Sequence, residues 1–431
     1  DITNKRKIRD IPELSTSIIS ARRAPVTLSS EKRIGSLRRS LARLERLINA
    51  ESCLVVDVEG QQIMALRPNL PVIPASTMKV LVASVALEVL GPEFTYKTKV
   101  QGIQDGGTIS GDLYLVGGGD PVLVSAQYPT IEPLPTFNGT SIESLADALI
   151  ATGVKSISGS VIGDESRYDS ERFTPTLGLG IRMTEVGPLG ALMINDGVVT
   201  GNPIKPDNPA LAAAQEFTNI LIAKGVNVSG AASVGVASSD IPVIAEISSR
   251  ALPDVLAEML TNSDNNTAEL VLKEIGFSSV QQGTRLAEAQ AMITKFTEMG
   301  IPTEGLTIND GSGLDRGNRV MCSTIQSLLL RDGGFGSLGT GLAVAGRTGT
   351  LGDLFTEGTV TQRLRGKTGT LTGVKGLAGF VTYDAELAST FTLILNGSGV
   401  SNQSTYRPIW SALAEALATF SSSPSASEIS P

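Results

Sequence analysis

The chain has 431 residues, of which 41% are hydrophobic and 18% are charged, and its formal net charge at pH 7 is -8. This balance is typical of a folded globular protein rather than a disordered or fibrous one, and the length favours two domains. The chain has no histidine and only two cysteines, which excludes a Ser-His-Asp triad and argues against a zinc site, so we expect no cofactor.

The charge is unevenly distributed along the chain. Residues 1–50 contain 12 Lys or Arg against 5 Asp or Glu, whereas the remainder is acidic. We interpret this basic arm chiefly as a solvated helix face and keep a contact with an anionic cell surface as the alternative. The arm has no aromatic residue, and an acidic body does not favour nucleic acid, so we expect no nucleic-acid partner.

The sequence also bears on location. No apolar run reaches the roughly 18 residues that a membrane-spanning helix requires. The chain begins without Met and without a signal-peptide pattern. We therefore expect the mature form of an extracytoplasmic protein, from which an export or anchoring segment has been removed.

The first predicted elements are an amphipathic helix over residues 31–49 and a β-hairpin. Apolar side chains recur at helical spacing at Leu37, Leu41, Leu44 and Ile48. The segment "SCLVVDVEGQQIMALRPN" predicts a hairpin that turns near Glu59 and Gly60. It contains Cys53, and the other cysteine is the distant Cys322. We expect two buried free thiols and leave a disulfide open for an exported chain.

A nearly all-apolar helix follows, beginning within "PASTMKV" at residue 74 and ending before Gly91, and such a helix is packed inside a protein. Residues 98–245 change to short strands and turns, which predicts a β-rich inserted domain. Helical periodicity then resumes, and the final third predicts strands followed by a helix over residues 408–420. The predicted catalytic domain is therefore discontinuous, comprising residues 1–97 and 246–420, and residues 421–431 form a flexible low-complexity tail.

The buried helix carries a serine and a lysine at its amino end. Ser76 lies where unpaired N–H groups and the helix dipole favour negative charge. Lys79 follows three residues later, on the same face and within reach of Ser76. Burial lowers the pKa of an ammonium group, so a neutral Lys79 can take the proton of Ser76 and activate it without histidine. Taken alone, this spacing is more simply explained by a helix cap and a surface lysine.

Two further motifs favour the catalytic interpretation. The motif "SDN" at 263–265 follows a predicted helix, and "KTGT" at 367–370 opens a predicted strand. Alone, the first is typical of an Asx-type loop and the second of an ordinary strand start. Together with SxxK, they occur in this order in class A β-lactamases and penicillin-binding proteins. The combination therefore predicts a nucleophilic serine site.

The KTGT motif suits the binding of a peptide that ends in a carboxylate. Lys367 contributes a positive charge, and Thr368 and Thr370 contribute hydroxyl groups. Gly369 has no side chain, so a substrate peptide can lie along the strand. A partial copy, "AGRTGTLGDLF" at 345–355, is interpreted as a loop without a functional role.

The other groups suit proton transfer and the stabilisation of charge. Ser263 is expected to pass a proton to the leaving amine. Asn265 is expected to hold an amide of the substrate and to contact Lys79. The backbone N–H groups of Ser76 and Thr370 are the expected oxyanion hole.

With these motifs, the sequence resembles the low-molecular-mass class C penicillin-binding proteins, the D-alanyl-D-alanine carboxypeptidase/endopeptidase family of serine peptidases called S13. The resemblance covers most of residues 35–420 and includes "GDLYLVGGGDPVL", "NSDNNTAE", "NDGSGLDRGNRV" and "RGKTGTLTGVKGLAGFV". It implies a penicillin-recognising serine transferase fold of the α/β (α+β) class. Such a fold has an antiparallel sheet flanked by helices, an all-helical subregion, and an inserted domain between SxxK and SxN.

The resemblance also implies an activity. Members remove the terminal D-alanine from peptidoglycan stem peptides or cleave D-Ala cross-links through an acyl-enzyme, here on Ser76, and β-lactam antibiotics acylate the same serine. Asp169 is the position implied to face the amino group on the third residue of the stem peptide. This sequence departs from the family at Arg167, where an aromatic residue is common. It also has no room for the third domain that members often nest in the insertion.

Two other functions remain open at this point. A β-lactamase or esterase could use the same scaffold, but Ser76 and Ser263 are 187 positions apart, which is too far for a compact β-lactamase. A catalytically silent protein that binds or scaffolds the cell wall is the second alternative. The intact motif residues argue against it, because a silent site has no reason to keep Ser76, Lys79, Ser263, Asn265 and Lys367.

Overall fold

The helices and strands are taken from a computed structural model that describes residues 24–128, 134–202, 204–422, 424 and 426–429. Residues 1–23 of the predicted basic arm lie outside these ranges. The helices are α1 (Pro25–Glu45), α2 (Met78–Leu90), α3 (Ile142–Ala151), α4 (Pro209–Ala223), α5 (Leu252–Asn262), α6 (Asn265–Val280), α7 (Arg285–Glu298), α8 (Cys322–Asp332), α9 (Ser337–Gly341), α10 (Gln403–Ser422) and α11 (Ala426–Ile429).

The strands are, in chain order, β1 (Cys53–Val58), β2 (Gln61–Leu66), β3 (Pro71–Val72), β4 (Lys97–Asp105), β5 (Thr108–Val116), β6 (Leu123–Val124), β7 (Thr140–Ser141), β8 (Ser156–Ile157), β9 (Val161–Asp164), β10 (Asn227–Val228), β11 (Ser233–Val234), β12 (Val243–Ser248), β13 (Val320–Met321), β14 (Ala343–Val344), β15 (Leu364–Leu371), β16 (Val374–Thr382) and β17 (Ala388–Asn396).

Strands from both ends of the chain form one antiparallel sheet, in the order β14-β15-β16-β17-β1-β2. The early hairpin β1-β2 joins the late strands through β17, with Cys53 opposite Ile394. Its turn lies at Glu59 and Gly60, which have φ angles of 50° and 72°. The predicted hairpin is therefore confirmed, and the two distant parts of the chain share one sheet.

Hydrophobic cores cover both faces of this sheet. Side chains of α2, α5, α6, α7 and α8 fill one core, and those of α1 and α10 fill the other. Along β1, Val55 belongs to the first core and Leu54 and Val56 to the second, as the alternation of side chains along a strand requires. Since β1 is buried on both sides, its sequence is apolar at every position except Asp57.

Helix α2 lies inside the first core, as its sequence predicts. Its residues from Met78 to Ala86 are all buried, Lys79 among them. No helix in the part of the chain that the structure describes combines the length and apolarity needed to cross a membrane.

The two cysteines form a disulfide, so the expectation of free thiols is wrong. Cys53 begins β1 and Cys322 begins α8, and their Cα atoms are 6.1 Å apart. Both residues are fully buried. The pairing could not be inferred from local sequence, because it depends on α8 packing against β1.

Replacing both cysteines by alanine is expected to lower the free energy of unfolding by about 2–5 kcal/mol, because the bond joins residues 269 positions apart and restricts the unfolded chain. The shift in the urea-denaturation midpoint measures this effect. Denaturation in the presence of a reductant should produce the same shift in the wild type and none in the double variant. Equal midpoints for the oxidised wild type and the double variant would contradict a stabilising role.

A second sheet is built between residues 97 and 248. Its main path is β10-β8-β5-β4-β12, and β9 pairs with both β5 and β11. This region has its own hydrophobic core, to which α3 and α4 contribute. We propose that residues 98–245 are an inserted domain, since both the sheet and this core are separate from those around α2.

The inserted region contains two helices that its strand-and-turn sequence did not suggest. Helix α3 buries Ile142, Leu145, Ala146 and Leu149 at helical spacing. Helix α4 follows Asn208, whose side chain accepts a hydrogen bond from the Leu211 N–H, and has Pro209 in its first turn. These start signals were present in the sequence. At the carboxyl end, α10 runs to Ser422 and the short α11 lies within the predicted tail.

Candidate active site

Ser76 lies in a short 3-10 turn, Ala75–Thr77, that leads directly into α2. The Thr77 hydroxyl donates to the Pro74 carbonyl at 2.7 Å. Ala75 has a φ angle of 48°, a left-handed conformation that costs a non-glycine residue about 1–3 kcal/mol and is often found at functional sites. This turn leaves Ser76 partly exposed, while its neighbours Ala75 and Thr77 are buried.

Two glycines allow other segments to close on this turn. A Cβ atom at Gly313 would lie 1.9 Å from the Ala75 carbonyl oxygen. A Cβ atom at Gly369 would lie 2.9 Å from the Pro74 carbonyl oxygen and 3.2 Å from the Ser76 nitrogen. Gly369 is thus required for β15 to pack against the serine turn, which is a different reason from the room for substrate that its sequence suggests.

The Lys79 side chain is fully buried and connects three parts of the site. Its Nζ donates to Ser76 Oγ at 3.1 Å, to Asn265 Oδ1 at 2.8 Å and to the Ser312 carbonyl at 2.8 Å. Burial lowers the pKa of Lys79 to about 8, although nearby carboxylates, Asp264 first among them, oppose the shift. At pH 7 about a tenth of Lys79 is then neutral. This form has two hydrogens and a lone pair, so it can donate to Asn265 and Ser312 while it accepts the Ser76 proton.

The SDN motif marks the break between α5 and α6. Ser263 ends α5 in the left-handed conformation, with φ 65° and ψ 31°. Asp264 caps α6 by accepting from the Thr267 N–H, and Asn265 opens that helix. Asn265 donates through Nδ2 to the Glu185 carbonyl at 2.6 Å, which leaves its Oδ1 directed at Lys79.

The KTGT motif lies on β15. Lys367 is fully buried, and its Nζ donates to the Thr368 carbonyl at 3.0 Å. Burial and the neighbouring Lys79 lower the pKa of Lys367 well below its usual value. The Thr368 hydroxyl donates to Thr350 Oγ1 at 2.9 Å. Thr370 is exposed, and its hydroxyl accepts a hydrogen bond from Lys375 Nζ at 2.8 Å.

One cavity of about 470 Å³ brings the predicted residues together. Its lining includes Ser76, Ser263, Asn265, Thr368 and Thr370. The two lysines of the motifs are fully buried, and Lys79 bonds to Ser76 and Asn265 in this lining. The structure therefore gathers all three motifs around one space, into which Ser76 and the KTGT hydroxyls face.

The cavity also has acidic side chains in its lining. It is lined by Glu185, Asp196, Glu258 and Asp264. Burial raises the pKa of Glu258 to about 7 and that of Asp264 to about 6. The lining of the cavity thus combines hydroxyl and carboxyl groups.

Asp169 lies apart from this cavity. Its Oδ1 accepts a hydrogen bond from Lys273 Nζ at 2.8 Å, and Lys273 also pairs with Glu288 at 3.4 Å. Arg167 makes a two-bond contact with Glu274, at 2.9 and 2.7 Å. The structure therefore pairs Asp169 with a buried lysine, and the contact with the substrate amine that the resemblance implies stays a prediction.

Sequence inspection missed two contributors to the site. Thr350 lines the cavity and bonds to Thr368. It occupies in the partial copy "AGRTGTL" the place that Thr370 has in "RGKTGTL", so the repetition was a signal. The second contributor is the carbonyl of Ser312, which Lys79 contacts. It is held in place by Glu269, which accepts from the Ser312 N–H at 2.8 Å.

A protein-family model for the D-Ala-D-Ala carboxypeptidase 3 (S13) family matches residues 35–206 and 200–419. The chain belongs to this family. The family predicted from the three motifs is therefore confirmed, and the matched segments contain all of them.

Individual relatives agree with the S13 assignment. The D-alanyl-D-alanine carboxypeptidase of Actinomadura sp. (strain R39) is 29% identical over 434 residues, which cover 80% of this chain and 77% of that protein. The crystal structure of penicillin binding protein 4 (dacB) from Haemophilus influenzae has a TM-score of 0.72 at 21% identity, covering 88% of this chain and 99% of that one. A structure of the same protein complexed with a novel β-lactam has a TM-score of 0.67 at 20% identity, covering 87% and 98%.

The structural likeness confirms the predicted fold class. This S13 chain has the antiparallel sheet flanked by helices, and α5, α6 and α7 supply the helical subregion. The inserted region between SxxK and SDN contains both strands and helices.

Proposed function

We propose that this S13 protein is a serine D-Ala-D-Ala carboxypeptidase that acts on peptidoglycan stem peptides through an acyl-enzyme on Ser76. The observation that carries the proposal is the contact of 3.1 Å between Lys79 Nζ and Ser76 Oγ, at the edge of a cavity that Thr368 and Thr370 also line. A nucleophile, a base with a lowered pKa and a set of hydroxyl groups for a carboxylate are the parts that this reaction needs.

Acylation begins when Ser76 Oγ attacks the carbonyl carbon of the bond between the two D-alanines. Neutral Lys79 takes the hydroxyl proton as the new ester bond forms. The C–N bond then breaks, and the departing D-alanine nitrogen receives a proton, for which Ser263 is the relay on the cavity wall. Water later attacks the ester, loses a proton to Lys79, and releases the shortened peptide and free Ser76.

The substrate's terminal carboxylate is expected to lie against β15. Thr368 and Thr370 line the cavity along this strand. An anion bound beside them would favour the charged form of the buried Lys367, whose pKa is lowered by burial and by Lys79. The backbone N–H groups of Ser76 and Thr370 remain the proposed oxyanion hole. Cleavage of a D-Ala cross-link is the same reaction with a longer leaving amine, so endopeptidase activity belongs to the proposal.

β-lactam antibiotics are proposed to acylate the same serine. Their carboxylate would take the place of the terminal carboxylate of the peptide, and their strained amide would be opened by Ser76. The Haemophilus influenzae neighbour has been solved with a β-lactam, which supports this part of the proposal. Because peptidoglycan lies outside the cytoplasmic membrane, we propose an extracytoplasmic location.

The test is release of D-alanine from a diacylated peptide ending in D-Ala-D-Ala, compared with the same peptide ending in D-Ala-L-Ala. Release from the first peptide only, together with a penicillin adduct that peptide mapping locates on Ser76, is the expected result. Rapid turnover of a chromogenic cephalosporin without D-alanine release would favour a β-lactamase instead. Absence of both an adduct and D-alanine release would favour a catalytically silent wall-binding protein.

A further inference from the structure

Lys375 is a buried lysine beside the site that the proposed reaction does not use. It lies on β16 directly opposite Thr370 on β15. Residues opposite each other on paired antiparallel strands have side chains on the same face. The side chain of Lys375 is therefore in position to act on the exposed end of the KTGT motif.

The Lys375 amine is held by one hydroxyl and two aromatic rings. Its Nζ donates to Thr370 Oγ1 at 2.8 Å and lies 4.3 Å from the ring centre of Tyr406 and 5.1 Å from that of Trp410. Both rings belong to α10. Only 9% of Lys375 is exposed, so the stem is packed and the position of the amine is fixed.

This positive charge has no acidic partner within the described residues, where the ion pairs do not include Lys375. The nearest charged group on the packed helix is Arg407, which also repels it, and burial together with Arg407 lowers the pKa of Lys375 to about 8. A buried cation without a counter-ion favours the approach of an anion. The aromatic faces offset part of the cost of burial.

The hydrogen bond to Lys375 determines what Thr370 can do. A lysine ammonium has three hydrogen-bond donors and no acceptor, whereas a threonine hydroxyl can donate one bond and accept two. Thr370 must therefore accept from Lys375, which leaves its own hydrogen free for another partner. Since Thr370 lines the cavity, that hydrogen is available to a ligand there.

We propose that Lys375 is a positioning residue. It makes the Thr370 hydroxyl a fixed donor toward the substrate's terminal carboxylate, and so sets the preference of the site for peptides that end in a free carboxylate. The inference rests on the proposed function and deepens it. The bond from the charged amine polarises the Thr370 hydroxyl, which strengthens its donor toward a negative group in this part of the cavity.

The test uses two diacylated peptides that differ only at their end, one with a D-Ala-D-Ala carboxylate and one with the corresponding carboxamide. In Lys375→Met, the KM for the carboxylate peptide is expected to rise about tenfold or more, with kcat nearly unchanged. The KM for the carboxamide peptide should change by less than about twofold, because a hydrogen bond to a neutral group contributes less to binding than one to a carboxylate. Methionine keeps the packing against the aromatic rings.

Thr370→Val provides a second variant that leaves the aromatic pocket untouched. It should show the same rise in KM for the carboxylate peptide, and the double variant should be no worse than Thr370→Val alone, because the lysine acts through this hydroxyl. Arg407→Met is the matched control, since it removes a neighbouring charge that does not bond to Thr370. It should leave the preference between the two peptides unchanged.

Three results would overturn the inference. Equal losses on both peptides in Lys375→Met would indicate support of the fold alone, and additive losses in the double variant would show that the lysine does not act through Thr370. A wild-type protein that releases no D-alanine would instead contradict the proposed function. If the wild type is active and Lys375→Met keeps the preference for the carboxylate peptide, only the proposed role of Lys375 is contradicted.

Discussion

Replacing Ser76 by alanine is expected to lower D-alanine release by about 10⁶-fold, the loss seen when a serine nucleophile is removed from a hydrolase. The same variant should form no covalent adduct with a fluorescent penicillin. Its fold should persist, because Ser76 is partly exposed and the hydrogen bond to its hydroxyl comes from Lys79. Kinetics, gel labelling and thermal melting measure these three properties.

Ser84→Ala is the matched control on the same helix. Ser84 is buried in α2, and its hydroxyl donates to the Val80 carbonyl at 2.7 Å, a bond that the helix can lose at small cost. This variant should keep both activity and labelling. Equal D-alanine release by wild type and Ser76→Ala would refute the assignment of the nucleophile.

The site depends on long-range assembly of segments that are local in sequence. Ser76 and Lys79 come from the start of α2, Asn265 from the start of α6, and Thr368 and Thr370 from β15. The antiparallel sheet places β15 beside the serine turn, and the first hydrophobic core packs α6 against α2. The inserted region lies between α2 and α5 in the sequence, so its length does not disturb the packing of these helices.

The parts of the site that consist of short motifs could be predicted from the sequence. A serine and a lysine three residues apart on a buried helix lie on the same face whatever surrounds them. The continuous apolar sequence after Lys79 predicted the burial that lowers its pKa. The hairpin at Glu59 and Gly60 was likewise specified by its own residues.

The remaining parts depend on contacts between distant residues. No local pattern pairs Cys53 with Cys322, places Thr350 beside Thr368, or brings the Ser312 carbonyl to Lys79. Thr350 lies in a segment that the sequence predicts to be a loop without a functional role, but loops carry functional residues when a rigid scaffold positions them. The role of Asp169 in substrate binding stays a prediction. The resemblance implies a contact between Asp169 and the substrate, and the ion pair with the buried Lys273 depends on packing that no local pattern indicates.

Replacing Lys79 by methionine is expected to lower kcat/KM for D-alanine release by about 10⁴-fold, the upper range for loss of a general base. Ser76 remains, so slow acylation by penicillin should still be detectable over long incubation. The pH profile should change as well. Because burial lowers the pKa of Lys79 to about 8 and the neutral amine is the base, wild-type kcat/KM should fall about tenfold per pH unit below that value. The variant should lack this dependence.

Lys79→Arg distinguishes a base from a mere positive charge. A guanidinium stays protonated at every pH tested, since its pKa exceeds about 12, so it keeps the charge near Asn265 and Ser312 but cannot accept the Ser76 proton. The arginine variant should therefore be nearly as inactive as Lys79→Met. Activity within about tenfold of wild type in Lys79→Arg would show that charge suffices, and would move the role of base to another group. Ser263 on the same cavity wall would then be the residue to replace next, because the proton of Ser76 must still leave through a neighbouring hydroxyl or water.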